Sequence, residues 1–411
     1  MANKNSAENG QLDRRRFIAN SAIALTGTAL NFSSFPLIAR TLRSDVIHVG
    51  LIGSGMRGTG LARTIQNTPG LSLVACCDVV RKHAESAAKY GIKNFKIYSE
   101  YKKLLEDKDI DAVVIATPLY LHHQMAVDAL SAGKHVYLEK IAAYNIPQVL
   151  DLTRKVMASD LIFQVGFQYR YFGLYHKIKR VLAEKWAGTV THLECQYNRN
   201  SNWRFPVSDP KLEHSVNWRM YRAYSGGPLA ELCAHQIDAV NFMLDAHPQK
   251  VIGIGGIDYW KDGRETFDNI RTIYEYPEGI KVSATSVLSN AYDGYNIRIL
   301  GDKATIEIQR DKAFIYAEST INKQGTVDGV TGATIAATTQ GKGVEISYLE
   351  PGEKAKEPTQ SALIDFASCI VNNRKPISNI DSARDVTIAI HMGNAAADTE
   401  TIQRWKPEYS I

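Results

Sequence analysis

The sequence predicts an α/β chain. A doubly wound parallel sheet occupies the first half, and an α+β domain on a largely antiparallel sheet follows. Three observations carry the prediction. Apolar, β-branched runs of strand length alternate with helical stretches from residue 46 to about 165. A glycine-rich turn joins the first such strand to the first helix. From 250 to 308 the pattern changes to strand after strand, joined by turns and with almost no helix.

Val46, Ile47, Val49, Leu51 and Ile52 make a run with few polar breaks, as suits a strand buried on both faces of a parallel sheet. The run meets Gly53-Ser54-Gly55-Met56-Arg57-Gly58, a G-x-G-x-x-G turn, ahead of a helical stretch at 61–65. The first glycine permits the tight turn, the second lets backbone approach a pyrophosphate, and the third lets helix and strand pack closely. The new helix points unpaired N–H groups at the phosphates. A second strand over 71–77 ends at Asp78, about 20 residues past the last glycine. A carboxylate there accepts both ribose hydroxyls and repels a 2′-phosphate. Strand, turn, helix, strand and acid in that order predict a Rossmann domain, with NAD favoured over NADP. Arg57 and Arg81 lie near enough to soften that preference. The competing reading is a doubly wound domain with a glycine-rich turn and no nucleotide.

The later elements continue the pattern. A helix over 80–90, a short strand over 95–98, a helix around Leu104 and a buried strand over 112–116 come next. Thr117-Pro118 stops that strand and opens its C-terminal end, where ligands of open α/β sheets bind. A helix over 121–130, a strand over 135–138 ending at Glu139-Lys140-Ile141, a helix over 146–158 and a strand over 161–165 complete the repeated βα units. Beyond them lie a helix over 175–183, a strand over 189–197 and a helix over 229–244 that opens at Gly226-Gly227-Pro228. Strands over 251–257, 269–274, 280–287, 296–299 and 304–308 follow, with turns at Pro277-Glu278-Gly279 and Gly301-Asp302-Lys303. Residues 318–343, rich in Gly, Thr and Ala, read as a long mobile loop. Helices over 360–371 and 382–398 close the chain and are expected to pack back on the first domain. The expected segments are a leader and linker over 1–44, a dinucleotide domain over 45–168 and a second domain over 169–411.

At 411 residues the chain is long enough for two or three domains and a large core. Its 45% apolar and 22% charged content suits a soluble globular protein. The net charge of +5 is small, and no basic stripe is interleaved with aromatics, so nucleic acid is not an expected partner. The five cysteines show no zinc spacing and no disulfide framework. Cys76 and Cys77 sit together in an expected buried strand, as small core residues do. Asp13-Arg14-Arg15-Arg16-Phe17-Ile18 resembles a twin-arginine export signal. The Ala-, Thr- and Ser-rich segment 18–30 that follows is too short and too polar to span a bilayer stably. A disordered basic tail is the alternative. The twin-arginine route carries folded proteins, which suits a protein that binds its dinucleotide before export. The expected location is the periplasm, with the membrane met only in transit unless an uncleaved segment persists as an anchor.

Two residues stand out for chemistry. Lys140 follows a strand's C-terminal end, where a nicotinamide should lie, and an ammonium there holds a developing alkoxide. Burial and a neighbouring cation lower its pKa toward neutrality. His235 is a natural base for a hydroxyl proton. On a regular helix Glu231 shares its face at i, i+4, and Asp238 lies a turn further on. A carboxylate on the second ring nitrogen would fix the tautomer or contact substrate directly. A metal set of Glu231, His235, His122 and His123 is set aside, because His122 and His123 diverge on a helix. Aromatics crowd the segment from Phe167 to Tyr224, with Arg170, Arg204, Arg219 and Arg222 between them. Aromatic faces with polar donors suit a sugar ring.

The whole pattern resembles the glucose-fructose oxidoreductase / inositol dehydrogenase / rhizopine catabolism (Gfo/Idh/MocA) family. The resemblance rests on the Gly53-Gly55-Gly58 turn, Asp78, Ala116-Thr117-Pro118, Glu139-Lys140, Gly166-Phe167-Gln168-Tyr169-Arg170, and Gly226-Gly227 through Glu231-x-x-x-His235-x-x-Asp238. It implies oxidation or reduction of sugar and polyol carbons with NAD(P). The family's E-K-P lysine falls on Lys140, and its D-x-G-x-H acid and histidine fall on Glu231 and His235. Ile141 replaces the usual proline and Cys233 the usual glycine. The expected catalytic set is Lys140, His235 and Glu231. The expected cofactor set is Gly53, Ser54, Gly55, Met56, Arg57, Gly58, Asp78, Thr117, Pro118, His122, Glu139 and Lys140. Tyr169, Arg170, Trp203, Trp218 and Asp238 are expected to meet the sugar, and no metal is expected. The resemblance also implies that the open face of the second sheet forms a dimer or tetramer. The expected function is an exported NAD-dependent oxidoreductase acting on a sugar or glycoside hydroxyl. The alternatives are a glycosidase of the same family that uses bound NAD transiently, and a non-catalytic sugar- or cofactor-binding relative.

Overall fold

Six short strands, apolar except for the edge strand Lys96–Tyr98, line up in one parallel sheet. They are β1 (Ile47–Ile52), β2 (Leu71–Cys77), β3 (Lys96–Tyr98), β4 (Ala112–Ile115), β5 (His135–Leu138) and β6 (Phe163–Val165), in the order β3-β2-β1-β4-β5-β6. Every β4 residue is buried, as in a strand covered on both faces. The chain reverses direction across the sheet between β1 and β4, at the ends of Ile52 and Ile115, which pair in register. That switch point opens a crevice beyond the strands' carboxyl ends.

The computed structural model describes residues 46–207, 209–318, 342–350 and 352–411, with the backbone of 326–327 and 330–331. The expected leader over 1–44 and most of the expected mobile loop over 318–343 lie outside the described residues. Helices α1 (Met56–Gln66), α2 (Arg81–Ala88), α3 (Tyr101–Leu105), α4 (His122–Ser131) and α5 (Ile146–Met157) connect the parallel strands. Leu61, Ala62 and Ile65 of α1 are fully buried, three positions on the one stripe that faces the sheet. Asn145 caps α5 by accepting from the Gln148 amide at 2.9 Å, with Pro147 in the first turn.

Helix α6 (Gly173–Ala183) leads into the second sheet. Its main strands are β7 (Val190–Tyr197), β8 (Lys250–Gly256), β9 (Asn269–Glu275), β10 (Lys281–Val287), β11 (Tyr295–Gly301), β12 (Ala304–Gln309) and β13 (Lys312–Ala317). Thr326–Val327 (β14) and Val330–Thr331 (β15) form a separate ladder, while Val344–Glu345 (β16) and Gln403–Arg404 (β17) finish the edges of the large sheet. The order is β16-β13-β12-β11-β7-β10-β9-β8-β17, and only the β7–β10 pair is parallel. Alternation along β9 buries Ile270, Thr272 and Tyr274 and leaves Arg271 and Ile273 exposed, so one face carries the core and the other is open.

Helix α7 (Ala234–Leu244) lies across the covered face, where Gln236 Nε2 donates to the Gln196 and Asn296 carbonyls, both at 2.8 Å. Two helices close the fold. Phe366 and Leu363 of α8 (Pro358–Asn372) pack with Leu61, Ile65 and Tyr137 of the first sheet's layer. Helix α9 (Ile380–Thr399) sits against β8, α5 and α7. Residues 45–411 therefore form one compact unit with a shared core. No described helix is long and apolar enough to cross a membrane.

Candidate active site

The glycine turn has the geometry its spacing requires. Gly53 has φ +85°, and a Cβ there would meet the Ala116 carbonyl at 2.8 Å. A Cβ on Gly58 would sit 2.0 Å from the Gly53 oxygen, so only glycine permits this approach of α1 to β1. A Cβ on Gly55 would meet nothing within 4 Å beyond its chain neighbours, and α1 begins there with no side-chain cap and no acid in its first turn. This is an open cradle backed by helix N–H groups. Asp78 borders it. Its Oδ2 accepts from the Ser54 amide at 2.7 Å and the Ser54 hydroxyl at 3.2 Å, and its Oδ1 accepts from the Val80 amide at 2.8 Å. Across the switch point the Thr117 hydroxyl is buried with no partner, and Pro118 leads away from it. The cradle, the cap-free helix and the orphaned hydroxyl fit a dinucleotide. Met56, at 82% exposure, points into solvent from the same turn.

Two expected features differ. Arg57 turns inward, and its Nε donates to Glu139 Oε1 at 2.8 Å. Arg81 is engaged with Glu85 at 3.0 Å. Arg57 is thus turned from the ribose side toward Glu139, while Arg81 stays exposed in a surface pair. His122 is 2% exposed, with Nδ1 at 2.8 Å from the Ile141 carbonyl and Nε2 at 3.0 Å from that of Thr117. A neutral ring has one N–H, which it donates to one of these two carbonyls, so buried His122 helps hold the chain after β4 against the chain after β5. Burial keeps that ring's pKa below the ordinary value.

Lys140 extends from the end of β5 to the second half of the chain. Its Nζ donates to the Glu231 carbonyl at 2.7 Å and to that of Ala230 at 3.2 Å. Those carbonyls belong to a π-helical turn, Leu229–Cys233, that leads into α7. The wider turn breaks the regular i, i+4 relation expected between Glu231 and His235. The Glu231 carboxylate instead accepts from Arg219 Nε at 2.9 Å, and Arg219 lies over the Trp218 ring at 4.2 Å. The expected orienting contact from Glu231 to His235 is therefore corrected: Glu231 acts on Lys140 and Arg219.

His235 stands edge-on to Tyr169, with centroids 5.5 Å apart, and to Phe167 at 6.3 Å. Its Nδ1 is buried without a partner, while the ring keeps some exposure. Burial, then the charges of Lys140, Arg57, Arg199 and Arg310, push its pKa well below the usual imidazole range. Burial also lowers Lys140. Glu231 and Glu139 resist that shift, and Arg219 and Arg57 reinforce it. A neutral imidazole thus lies near a depressed ammonium, the environment in which acid and base roles separate at neutral pH. Among the described residues no group of three His, Cys, Asp or Glu side chains is placed to hold a metal.

The expected sugar contacts divide. Tyr169 and Trp218 keep partial exposure. Asp238 is fully buried, and its Oδ1 accepts from Arg170 Nε at 2.8 Å, so these two are paired with each other, while Asp238 Oδ2 has no partner among the described residues. Burial pushes the Asp238 carboxyl up to about 6 even beside that guanidinium. Trp203 is 9% exposed with φ +60°, a strained conformation for a bulky residue. Arg264 donating to the Asn202 carbonyl at 2.7 Å holds its loop. Spacing did not single out Arg219 or Gln168. Gln168 Oε1 is buried and unpartnered, and its place in Gly166-Phe167-Gln168-Tyr169-Arg170 was the available signal.

Residues 47–167 match the family model described as "Oxidoreductase family, NAD-binding Rossmann fold", and 175–307 match the "GFO/IDH/MocA C-terminal domain". Inositol 2-dehydrogenase of Salmonella paratyphi B is 34% identical over 273 residues, covering 64% of this chain and 74% of that protein. The chain belongs to the GFO/IDH/MocA oxidoreductase family. Its first sheet is the NAD-binding Rossmann domain. Glycosyl hydrolase family 109 protein 1 of Bacteroides fragilis is 30% identical over 228 residues, 52% of this chain and 49% of that protein. The chain thus matches about half the length of several of its curated relatives. Among solved structures, levoglucosan dehydrogenase in complex with NADH and levoglucosan shares the fold. Its TM-score is 0.71 at 20% identity, over 88% of this chain and 99% of that one. An NAD-binding protein from Listeria innocua does so at 0.72 and 21%, over 88% and 100%.

Proposed function

We propose that this GFO/IDH/MocA protein is an NAD-dependent oxidoreductase that oxidises or reduces a hydroxyl-bearing carbon of a sugar or glycoside. The single observation that carries this is the Lys140 ammonium bonded to the turn that presents His235, so that an acid and a base from different sheets converge on one crevice. A bound nicotinamide supplies the hydride acceptor. His235 takes the hydroxyl proton on its free ring nitrogen. Lys140 stabilises the alkoxide, and burial makes that charge interaction stronger than it would be in water. Glu231 keeps Lys140 protonated and Arg219 in place. Tyr169 and Trp218 offer ring faces to the sugar, and Asp78 favours NAD over NADP.

A glycosidase is the second reading, favoured by the similarity to the family 109 glycosyl hydrolase. There bound NAD would take up the hydride and later return it, while the same acid and base would assist loss of the aglycone and addition of water. We further infer export by the twin-arginine route to the periplasm with cofactor already bound, and assembly of copies through the open sheet face carrying Ile252, Ile254 and Ile273. The test is the near-ultraviolet absorbance of purified protein mixed with candidate glycosides. A lasting rise in reduced nicotinamide with a keto-sugar supports the oxidoreductase. Free sugar released while the absorbance returns to baseline supports the glycosidase. Either activity surviving Lys140→Met overturns the proposed chemistry.

A further inference from the structure

Beyond Tyr169 the crevice wall ends in a basic cluster. Tyr169 lies 5.5 Å from the ring of Tyr295, which lies 5.3 Å from that of Tyr197. The Tyr197 side chain belongs to the covered face of the second sheet, like Leu193 and Cys195 on the same strand. Two guanidiniums converge on its hydroxyl: Arg199 Nη2 donates at 3.0 Å and Arg310 Nη2 at 3.4 Å. Arg199 also lies 5.2 Å from the Tyr197 ring, and Arg310 lies 5.9 Å from both the Tyr197 and Tyr295 rings. Among the described residues neither arginine has a carboxylate at ion-pair distance, and no acceptor takes the Tyr197 proton.

Two like charges thus share one neighbour, whereas described arginines as exposed as Arg81 and Arg298 have carboxylates at 3.0 and 3.1 Å. Arg310 also occupies the tight turn between β12 and β13 at φ +59°, where glycine or asparagine is easier. Two guanidiniums that meet at one hydroxyl, with no carboxylate at ion-pair distance among the described residues, leave forked donors over for a planar or tetrahedral anion. It lies two aromatic rings from His235, on the same wall.

We propose that Arg199, Arg310 and Tyr197 bind an anionic substituent of the substrate, so that the sugar is an acidic one carrying a carboxylate or a sulfate. This rests on the sugar reading above and deepens it. The reacting hydroxyl sits at His235 and Lys140, and the acid group extends past half-buried Tyr169 toward the arginines, whose charges reach His235.

The test is binding by calorimetry to the protein with its cofactor, using matched pairs. Methyl glucuronide, methyl galacturonide and the 6-sulfates of methyl glucoside and methyl galactoside are each compared with the neutral parent. At least one acidic member is expected to bind roughly tenfold or more tightly than its parent, the scale of one or two charge-assisted hydrogen bonds. The uronates and sulfates decide which anion is preferred. The preference should weaken with added salt and collapse in Arg199→Gln and in Arg310→Gly, the latter suited to the left-handed turn. Equal binding of acid and parent in every pair, no binding of any member, or a preference intact in both variants overturns the proposal. An acid preference without any reduced nicotinamide would sink the oxidoreductase reading and leave this site standing.

Discussion

Lys140 Nζ donates to the main-chain carbonyl of Glu231 at 2.7 Å, while the Glu231 side chain goes to Arg219. One residue thus receives the ammonium through its backbone and tunes it through its carboxylate.

Replacing that carboxylate has a predictable sign. Glu231 favours the charged form of Lys140, and burial and Arg219 oppose it. In Glu231→Gln the ammonium loses its proton at lower pH. The alkaline limb of kcat/KM should therefore move to lower pH by about one unit, or ~1.4 kcal/mol between protonation states. A pH–rate profile checks this, and an unmoved limb would contradict the coupling.

His235 is held neutral to well below pH 6.5. Its acid limb should accordingly lie below that pH in the wild-type profile, because the base is lost only when it takes a proton. His235→Gln should lower kcat by roughly a hundredfold to ten-thousandfold. Its residual rate should lose the acid limb and rise with pH until the alkaline limb of Lys140 is reached, since solvent hydroxide then removes the proton. Stopped-flow reduction of the nicotinamide measures both.

Cofactor choice should follow Asp78 and ignore Arg57. Asp78→Ala removes the ribose acceptor and the brace on Ser54 and Val80. NAD affinity should fall roughly tenfold to a hundredfold, and the gap to NADP should narrow. Arg57→Ala should leave the NAD/NADP ratio unchanged, because its guanidinium is committed to Glu139. Fluorescence titration with both dinucleotides distinguishes these outcomes.

The glycines of the turn should separate folding from binding. In Gly58→Ala the new methyl would sit 2.0 Å from the Gly53 oxygen, and the strain should cost about 1–3 kcal/mol in thermal melts. Gly55→Ala meets no protein atom within 4 Å beyond its chain neighbours, so the fold should melt normally while NAD binding weakens.

Much of this was legible in the sequence because the signals were local. The parallel strands announced themselves as apolar runs, and the turns at Pro277-Glu278-Gly279 and Gly301-Asp302-Lys303 join antiparallel neighbours as their composition implied. The lysine and histidine were visible because each follows a recognisable break in the chain. Partnerships between distant residues were not visible. A regular helix from 229 put Glu231 on the face of His235, and a π turn, which leaves no mark in periodicity, removed it. Arg57 and Asp238 read as ligand contacts because their ion-pair partners, Glu139 and Arg170, lie 82 and 68 residues away. His122 was placed in the cofactor set because nothing in its neighbourhood foretold its burial between the Thr117 and Ile141 carbonyls.

The return of α8 to the first sheet has a consequence for any attempt to divide the protein. Phe366 meets Tyr137 edge-on, and Gln164 Nε2 donates to the Ala362 carbonyl at 2.7 Å. The nucleotide-holding half thus borrows its outer wall from residues 358–372, far along the chain from its own last strand. The ribosome must deliver those residues before that half can bury the oily surface that Phe366 covers.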